Sequence, residues 1–146
     1  RFFAKMERHF GGKLEGLRVA VWGIAFKPNT DDTREAPVFH ILDRLLESKA
    51  SVVVFDPEAM GGARERYGDK IGYAESSYGA LQGADALVVA TEWNEFRKPD
   101  FGLMKTLMKQ PVLFDGRNIY DPLKMRERGF LYHSIGRKAH EGHARV

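Results

Sequence analysis

Short apolar runs alternate with amphipathic segments along almost the whole chain, and this alternation restricts the fold more than any other feature. A strand pattern over 18–24 is followed by a helix starting near Pro37, whose apolar positions Val38, Ile41, Leu42, Leu45 and Leu46 share one face. A second strand, 51–55, closes at Asp56-Pro57. Further strand patterns fall at 71–73, 86–90, 112–114 and 130–134, with helix patterns at 59–67, 77–82, 100–108 and 122–128 between them. The run 86–90 is continuously apolar, as a central strand covered on both faces requires. Such alternation implies βαβ units. The expected fold is therefore α/β, a doubly wound, mostly parallel sheet ordered 3-2-1-4-5-6 with helices on both faces. At 146 residues and 43% apolar content, one such domain can bury a real core.

Sheets of this kind bind ligands beyond the carboxyl ends of their strands. Three polar segments are expected there: 23–37 after the first strand, Thr91-Glu92-Trp93-Asn94-Glu95-Phe96-Arg97 after the central one, and Asp115-Gly116-Arg117-Asn118 after a later one. The first is unusual. Gly23 is its only glycine, so the Gly-x-Gly-x-x-Gly turn of a dinucleotide site is absent, and Lys27, Asp31, Asp32 and Arg34 stand in its place. A turn of this composition holds an anion with side chains more than with bare amides.

Each candidate has a plain alternative. Lys27 could face a diphosphate or be a solvated lysine. Arg34 could fork onto a phosphate or carboxylate, or pair with Asp31 or Asp32, which themselves read as turn formers. Trp93 and Phe96 could wall a planar base, though packing against the sheet is the simpler reading. Arg117, in a Gly-Arg-Asn turn, is a ligand candidate or a structural arginine. Asp56 ends the second strand, where a dinucleotide fold keeps its ribose-binding acid. It lies farther beyond Gly23 than the usual ~20 residues, and Pro57 follows it, so it reads mainly as a helix-entry residue.

The excluded classes are equally informative. A net charge of only +3, from scattered basic residues, makes nucleic acid an unexpected partner. No apolar run reaches membrane length, and a cytoplasmic protein is the default expectation. His9, His40, His133, His140 and His143 lack metal-ligand spacing, so no metal is expected. The chain has no cysteine, hence no thiolate nucleophile. It opens on Arg1 inside what reads as a helix end before Gly11-Gly12. The expected organisation is the end of a preceding helix over 1–12, a domain over 13–136 and a polar tail over 137–146, together a C-terminal piece of a longer protein.

The run Gly23–Pro37, the run Thr91-Glu92-Trp93-x-Glu95-Phe96-Arg97 and the run Phe114-Asp115-Gly116-Arg117-Asn118, in this order and spacing, resemble the C-terminal domain of the UDP-glucose/GDP-mannose dehydrogenase family. The order of elements agrees over about 10–136, and the motifs are most similar to members that oxidise UDP-glucose. The resemblance implies a Rossmann-like fold and a parent enzyme that converts the C6 alcohol of a nucleotide sugar to a carboxylate with NAD, through a cysteine thioester. It implies that NAD is bound mainly by an N-terminal domain, and that a long central helix supports a homodimer or larger assembly. It assigns Phe26, Lys27 and Arg117 to the UDP-sugar, Arg34 to the NAD of the other domain, and no catalytic residue to this chain. Two alternatives are a dehydrogenase of another nucleotide sugar, such as GDP-mannose or a UDP-N-acetylhexosamine, and a non-catalytic nucleotide-binding module.

Overall fold

The structure, a computed structural model, describes residues 2–25, 28–33 and 36–134. A short helix α1 (Phe2–His9) precedes the strand β1 (Arg18–Trp22). There follow α2 (Val38–Glu47), β2 (Ser51–Phe55), α3 (Met60–Tyr67), β3 (Gly72–Tyr73), α4 (Ser77–Leu81), β4 (Ala86–Val89), α5 (Phe101–Leu107), β5 (Val112–Asp115), α6 (Pro122–Glu127) and β6 (Leu131–Ser134). The described strands form one sheet ordered β3-β2-β1-β4-β5-β6, every pair parallel. This is the expected order. The strand order reverses direction between β1 and β4, so the switch point lies where the two polar segments after these strands emerge.

Side chains alternate across the sheet with the period of two that a strand imposes. Val19, Val21, Val52, Val54, Val88 and Phe114 face one core with α1, α2 and α3. Ala20, Trp22, Val53, Leu87, Val89 and Leu113 face the other, with α4, α5 and α6. The α2 stripe is buried at Val38, Leu42 and Leu45, while Ile41 and Leu46 are half-buried at its margins. Local chemistry sets several helix starts. Ser76, Asp100 and Asp121 each accept a first-turn N–H, and Pro122 opens α6 without forfeiting a needed donor. β1 stops at Trp22, two residues short of the apolar pattern, because the amides of Ile24 and Ala25 leave the sheet for the Asp56 carboxylate.

α1 is part of the core, with Phe2, Phe3 and Met6 buried in the first cluster. Its C-terminal residue meets β6 through two histidines far apart in sequence: His9 Nδ1 and His133 Nε2 lie 3.0 Å apart. The His133 ring stacks on Phe114, with centroids 4.8 Å apart and planes 11° from parallel. Lys5 donates to the Ser134 carbonyl, closing a second α1–β6 contact.

Burial pushes the His133 pKa down to about 4, helped by the basic groups facing it, His9, Lys5 and Arg8 on α1 and Arg126 on α6. In an unfolded chain a histidine takes up its proton near ~6.5. Between those values the unfolded state binds the extra proton, so this contribution to stability is complete above about pH 6.5 and is lost as pH falls toward 4. Denaturant midpoints compared at about pH 7.5 and 5 test this. The wild type should lose more stability than His133→Phe, which keeps a ring on Phe114 and cannot titrate; equal losses would assign the acid sensitivity to other groups.

Candidate functional site

The segments after β1, β4 and β5 meet at one edge of the sheet, as the sequence leads one to expect. Between them and the start of α2 lies a cleft of about 350 Å³, lined by Phe2, Pro37, Val38, His40, Ile41, Val89, Ala90, Gly116 and Arg117. Its walls are apolar apart from His40 and Arg117. A larger hollow of about 700 Å³ opens between residues 31–33 and α3, but its described charged groups are Asp31, Glu58, Glu65 and Arg64. Among the described residues that balance does not favour a phosphate, whereas the smaller cleft lies at the switch point and carries His40 and Arg117.

The turn after β1 is fastened from both sides. Gly23 has φ +105, and a Cβ there would stand 2.5 Å from Thr91 Oγ1 and 2.6 Å from Thr91 N, so only glycine lets the two segments pass this closely. The Thr91 hydroxyl donates to the Ala25 carbonyl at 2.7 Å. Asp56, 1% exposed, accepts at Oδ2 from the amides of Ile24 (2.7 Å) and Ala25 (3.1 Å) and from Trp93 Nε1 (3.1 Å). Its Oδ1 accepts from the amides of Glu58 and Ala59, both at 2.8 Å. Asp56 therefore marks the entry to α3, as expected, and also ties the ends of β1 and β2 to the segment after β4.

This arrangement does not fit a dinucleotide bound in the usual manner of the fold. The carboxylate that would meet a ribose hydroxyl is already the acceptor of five hydrogen bonds, and two amides of the phosphate turn are consumed by it. Among the described residues, the amides of Ile24 and Ala25 are thus not open to an anion.

Arg117 is such a side chain. It forms a fork on Glu92, with Nε 2.7 Å from Oε1 and Nη2 3.3 Å from Oε2. Burial alone would raise the Glu92 pKa, but the hydrogen bond from Arg117, the backbone amide and the charges of Arg117 and Arg97 outweigh it and hold the carboxyl below its ordinary value. The Arg117 amide donates to Asp115 Oδ1. Asp115, fully buried, also accepts from the Tyr120 amide and the Tyr132 hydroxyl. Gly116 passes over β4, its amide bonded to the Val89 carbonyl, where a Cβ would come within 3.0 Å of that oxygen.

Of the residues singled out from the sequence, Arg117 is an ion-pair partner, the structural one of its two readings, and it also lines the cleft. Phe26, Lys27 and Arg34 lie outside the described residues. Trp93 and Phe96 are packed: Phe96 stacks on Trp22 at 4.9 Å, and the Trp93 indole donates to Asp56. The Asp32 amide donates to the Thr30 hydroxyl, which is turn chemistry. His40 is exposed, as its helix position suggests, but it borders the cleft. Sequence reasoning assigned no role to Thr91, Glu92 or Asp115. The partners of Thr91 and Glu92, and the Tyr132 hydroxyl on Asp115, lie in other segments, and only the presence of these residues in motifs at the ligand edge hinted at them. Among the described residues, no group of three or more potential metal ligands occurs.

Asp56→Asn tests the fastening directly. The side chain keeps its size, but one of the two oxygens becomes a donor facing donors. We expect a loss of roughly 2–4 kcal/mol in urea denaturation, against about 1 kcal/mol for Trp93→Phe, which removes a single donor.

Comparison with known proteins agrees with this architecture. Residues 20–122 match the UDP-binding domain of the UDP-glucose/GDP-mannose dehydrogenase family. The UDP-glucose 6-dehydrogenase of Pseudomonas aeruginosa is 46% identical over 140 residues, covering 92% of this chain and 31% of that protein. The structure of a UDP-glucose dehydrogenase from Pyrobaculum islandicum superposes with a TM-score of 0.75 at 34% identity, covering 91% of this chain and 28% of the other. That of an NDP-N-acetyl-D-galactosaminuronic acid dehydrogenase from Methanosarcina mazei gives 0.77 at 28% identity, covering 92% and 28%. The chain thus spans about a third of the length of the relatives it matches. With the parallel sheet, the three motifs at its carboxyl edge and the family match across them, this chain belongs to the UDP-glucose/GDP-mannose dehydrogenase family, as its UDP-binding domain.

Proposed function

We propose that the chain is the UDP-sugar-binding C-terminal portion, residues 13–136, of a UDP-glucose 6-dehydrogenase, which oxidises UDP-glucose to UDP-glucuronate with two NAD. The observation that carries this reading is Arg117, held by a carboxylate at the mouth of the switch-point cleft in a domain of the UDP-binding family. Phe26, Lys27 and Arg117 contact the sugar nucleotide, Lys27 and Arg117 supplying the positive charge that a diphosphate requires. Arg34 reaches the NAD, which is held mainly by an N-terminal domain and accepts hydride when bound. The saturated Asp56 carboxylate supports that division, because this domain's own turn is unsuited to a dinucleotide. The thiol for a thioester must come from elsewhere in a longer protein, because this chain has no cysteine. The parent enzyme is a cytoplasmic homodimer or larger assembly. Among the described residues no helix is long and apolar enough to cross a membrane.

A dehydrogenase of a different nucleotide sugar is the second reading, favoured by the N-acetyl-sugar dehydrogenase among the structural neighbours. Calorimetric titration with UDP, UDP-glucose and GDP-mannose separates a UDP-sugar enzyme from a GDP-mannose enzyme. UDP and UDP-glucose should both bind, and more tightly than GDP-mannose; the reverse order would exclude a UDP-sugar enzyme. Lys27→Ala should weaken UDP and UDP-glucose by a similar factor, roughly tenfold to a hundredfold, because one charge-assisted hydrogen bond to the shared diphosphate is lost. Normal UDP binding by this variant would remove Lys27 from the site. The 146-residue chain alone should form no NADH from UDP-glucose, and turnover at even ~1 s⁻¹ would place the nucleophile in this chain after all.

A further inference from the structure

Arg117 is one of two partners in an ion pair whose geometry is fixed at both ends. On its own side, the backbone amide is bonded to the buried Asp115, and Gly116 lies tight against the Val89 carbonyl. On the other side, Glu92 stands between two anchored residues, Thr91 with its hydroxyl on Ala25 and Trp93 with its indole on Asp56. The two strands that carry the pair are neighbours, with Val89 opposite Asp115. The pair is sheltered, the side chains being 33% and 27% exposed.

A guanidinium has five N–H groups in a rigid plane. The fork with Glu92 uses one on Nε and one on Nη2, leaving three at a group that lines the cleft. A long arginine chain loses much rotamer freedom when it is fixed on a ligand. Here the fork and the anchored backbone fix it before any ligand arrives. The pair is nearly neutral as a unit, so its contribution to an anion is directional, given by the free N–H edge, more than a bulk attraction.

We propose that Glu92 is a positioning residue for phosphate recognition: its carboxylate holds the Arg117 guanidinium so that the free N–H edge meets the diphosphate of a nucleotide sugar. This rests on the UDP-sugar reading above. Glu92 touches no ligand itself and acts on affinity only through Arg117.

The experiment is a double-mutant cycle read by calorimetric titration with UDP, and with uridine as a probe that lacks phosphate, after thermal melts of each variant. Glu92→Gln should weaken UDP about tenfold and leave uridine unchanged. Arg117→Ala should weaken UDP at least as much, and adding Glu92→Gln to it should cost nothing further. Glu92→Asp keeps the charge with a shorter reach, and should fold and lose less affinity than Glu92→Gln; it carries the test should the glutamine variant fail to fold. Three results would overturn the proposal: UDP binding unchanged or tighter in Glu92→Gln, an equal loss in the Arg117→Ala background, or an equal loss for uridine. Failure of the wild type to bind UDP would overturn the UDP-sugar reading and this proposal with it, a result recognisable before any variant is compared.

Discussion

The ligand edge of this domain depends on one buried carboxylate. Asp56 collects five N–H groups from three separate segments: the turn after β1, the entry to α3 and the indole of Trp93 beyond β4. Without it, four backbone amides and an indole would need other partners in an environment that is almost dry. Because its donors come from non-adjacent parts of the chain, the same carboxylate that satisfies them also sets the distance between those parts. Gly23 and Thr91 complete the fastening from the other side, one by lacking a side chain, the other by donating to the Ala25 carbonyl.

This economy of hydrogen bonds explains what the edge can recognise. In a dinucleotide-binding relative of this fold, the glycine-rich turn leaves amides open to a pyrophosphate and the acid at the end of the second strand open to a ribose. Here that acid and two of those amides are occupied by each other. Asp115 does for the later turn what Asp56 does for the first, holding the amides of Arg117 and Tyr120 together with the Tyr132 hydroxyl. What the described turns leave facing the cleft is a side chain, Arg117, carried on a stiffened turn.

The contact between α1 and β6 has a different character. It is made of aromatic rings and two histidines: His9 edge-on to Phe114, and His133 stacked on it. The apolar side chains of α1 lie in the same cluster as those of α2 and the sheet. The helix therefore packs on the sheet, and Phe2 reaches far enough to line the cleft beside Gly116. Residues read in the sequence as the end of a preceding element thus take part in both the core and the site.

The strand order, the helix positions and the placement of three polar segments at one edge were legible in the sequence. They follow from local periodicity and from the topological rules of parallel sheets, which do not need the partner of any single side chain. The packing of Trp93 and Phe96 and the turn chemistry near Asp32 were legible for the same reason. The ties that Asp56 makes beyond its helix entry, the roles of Thr91 and Glu92, the contact of Asp115 with Tyr132, and the meeting of His9 with His133 were decided by tertiary structure alone. Each depends on a partner brought near by the crossing of the chain, and a carboxylate at a strand end looks the same in sequence whether it caps one helix or joins three segments. The sequence by itself determined which chemistry stands at the carboxyl edge. The tertiary structure decided which of those groups are consumed in holding the edge together, because hydrogen-bond partners are chosen by distance in space and not along the chain.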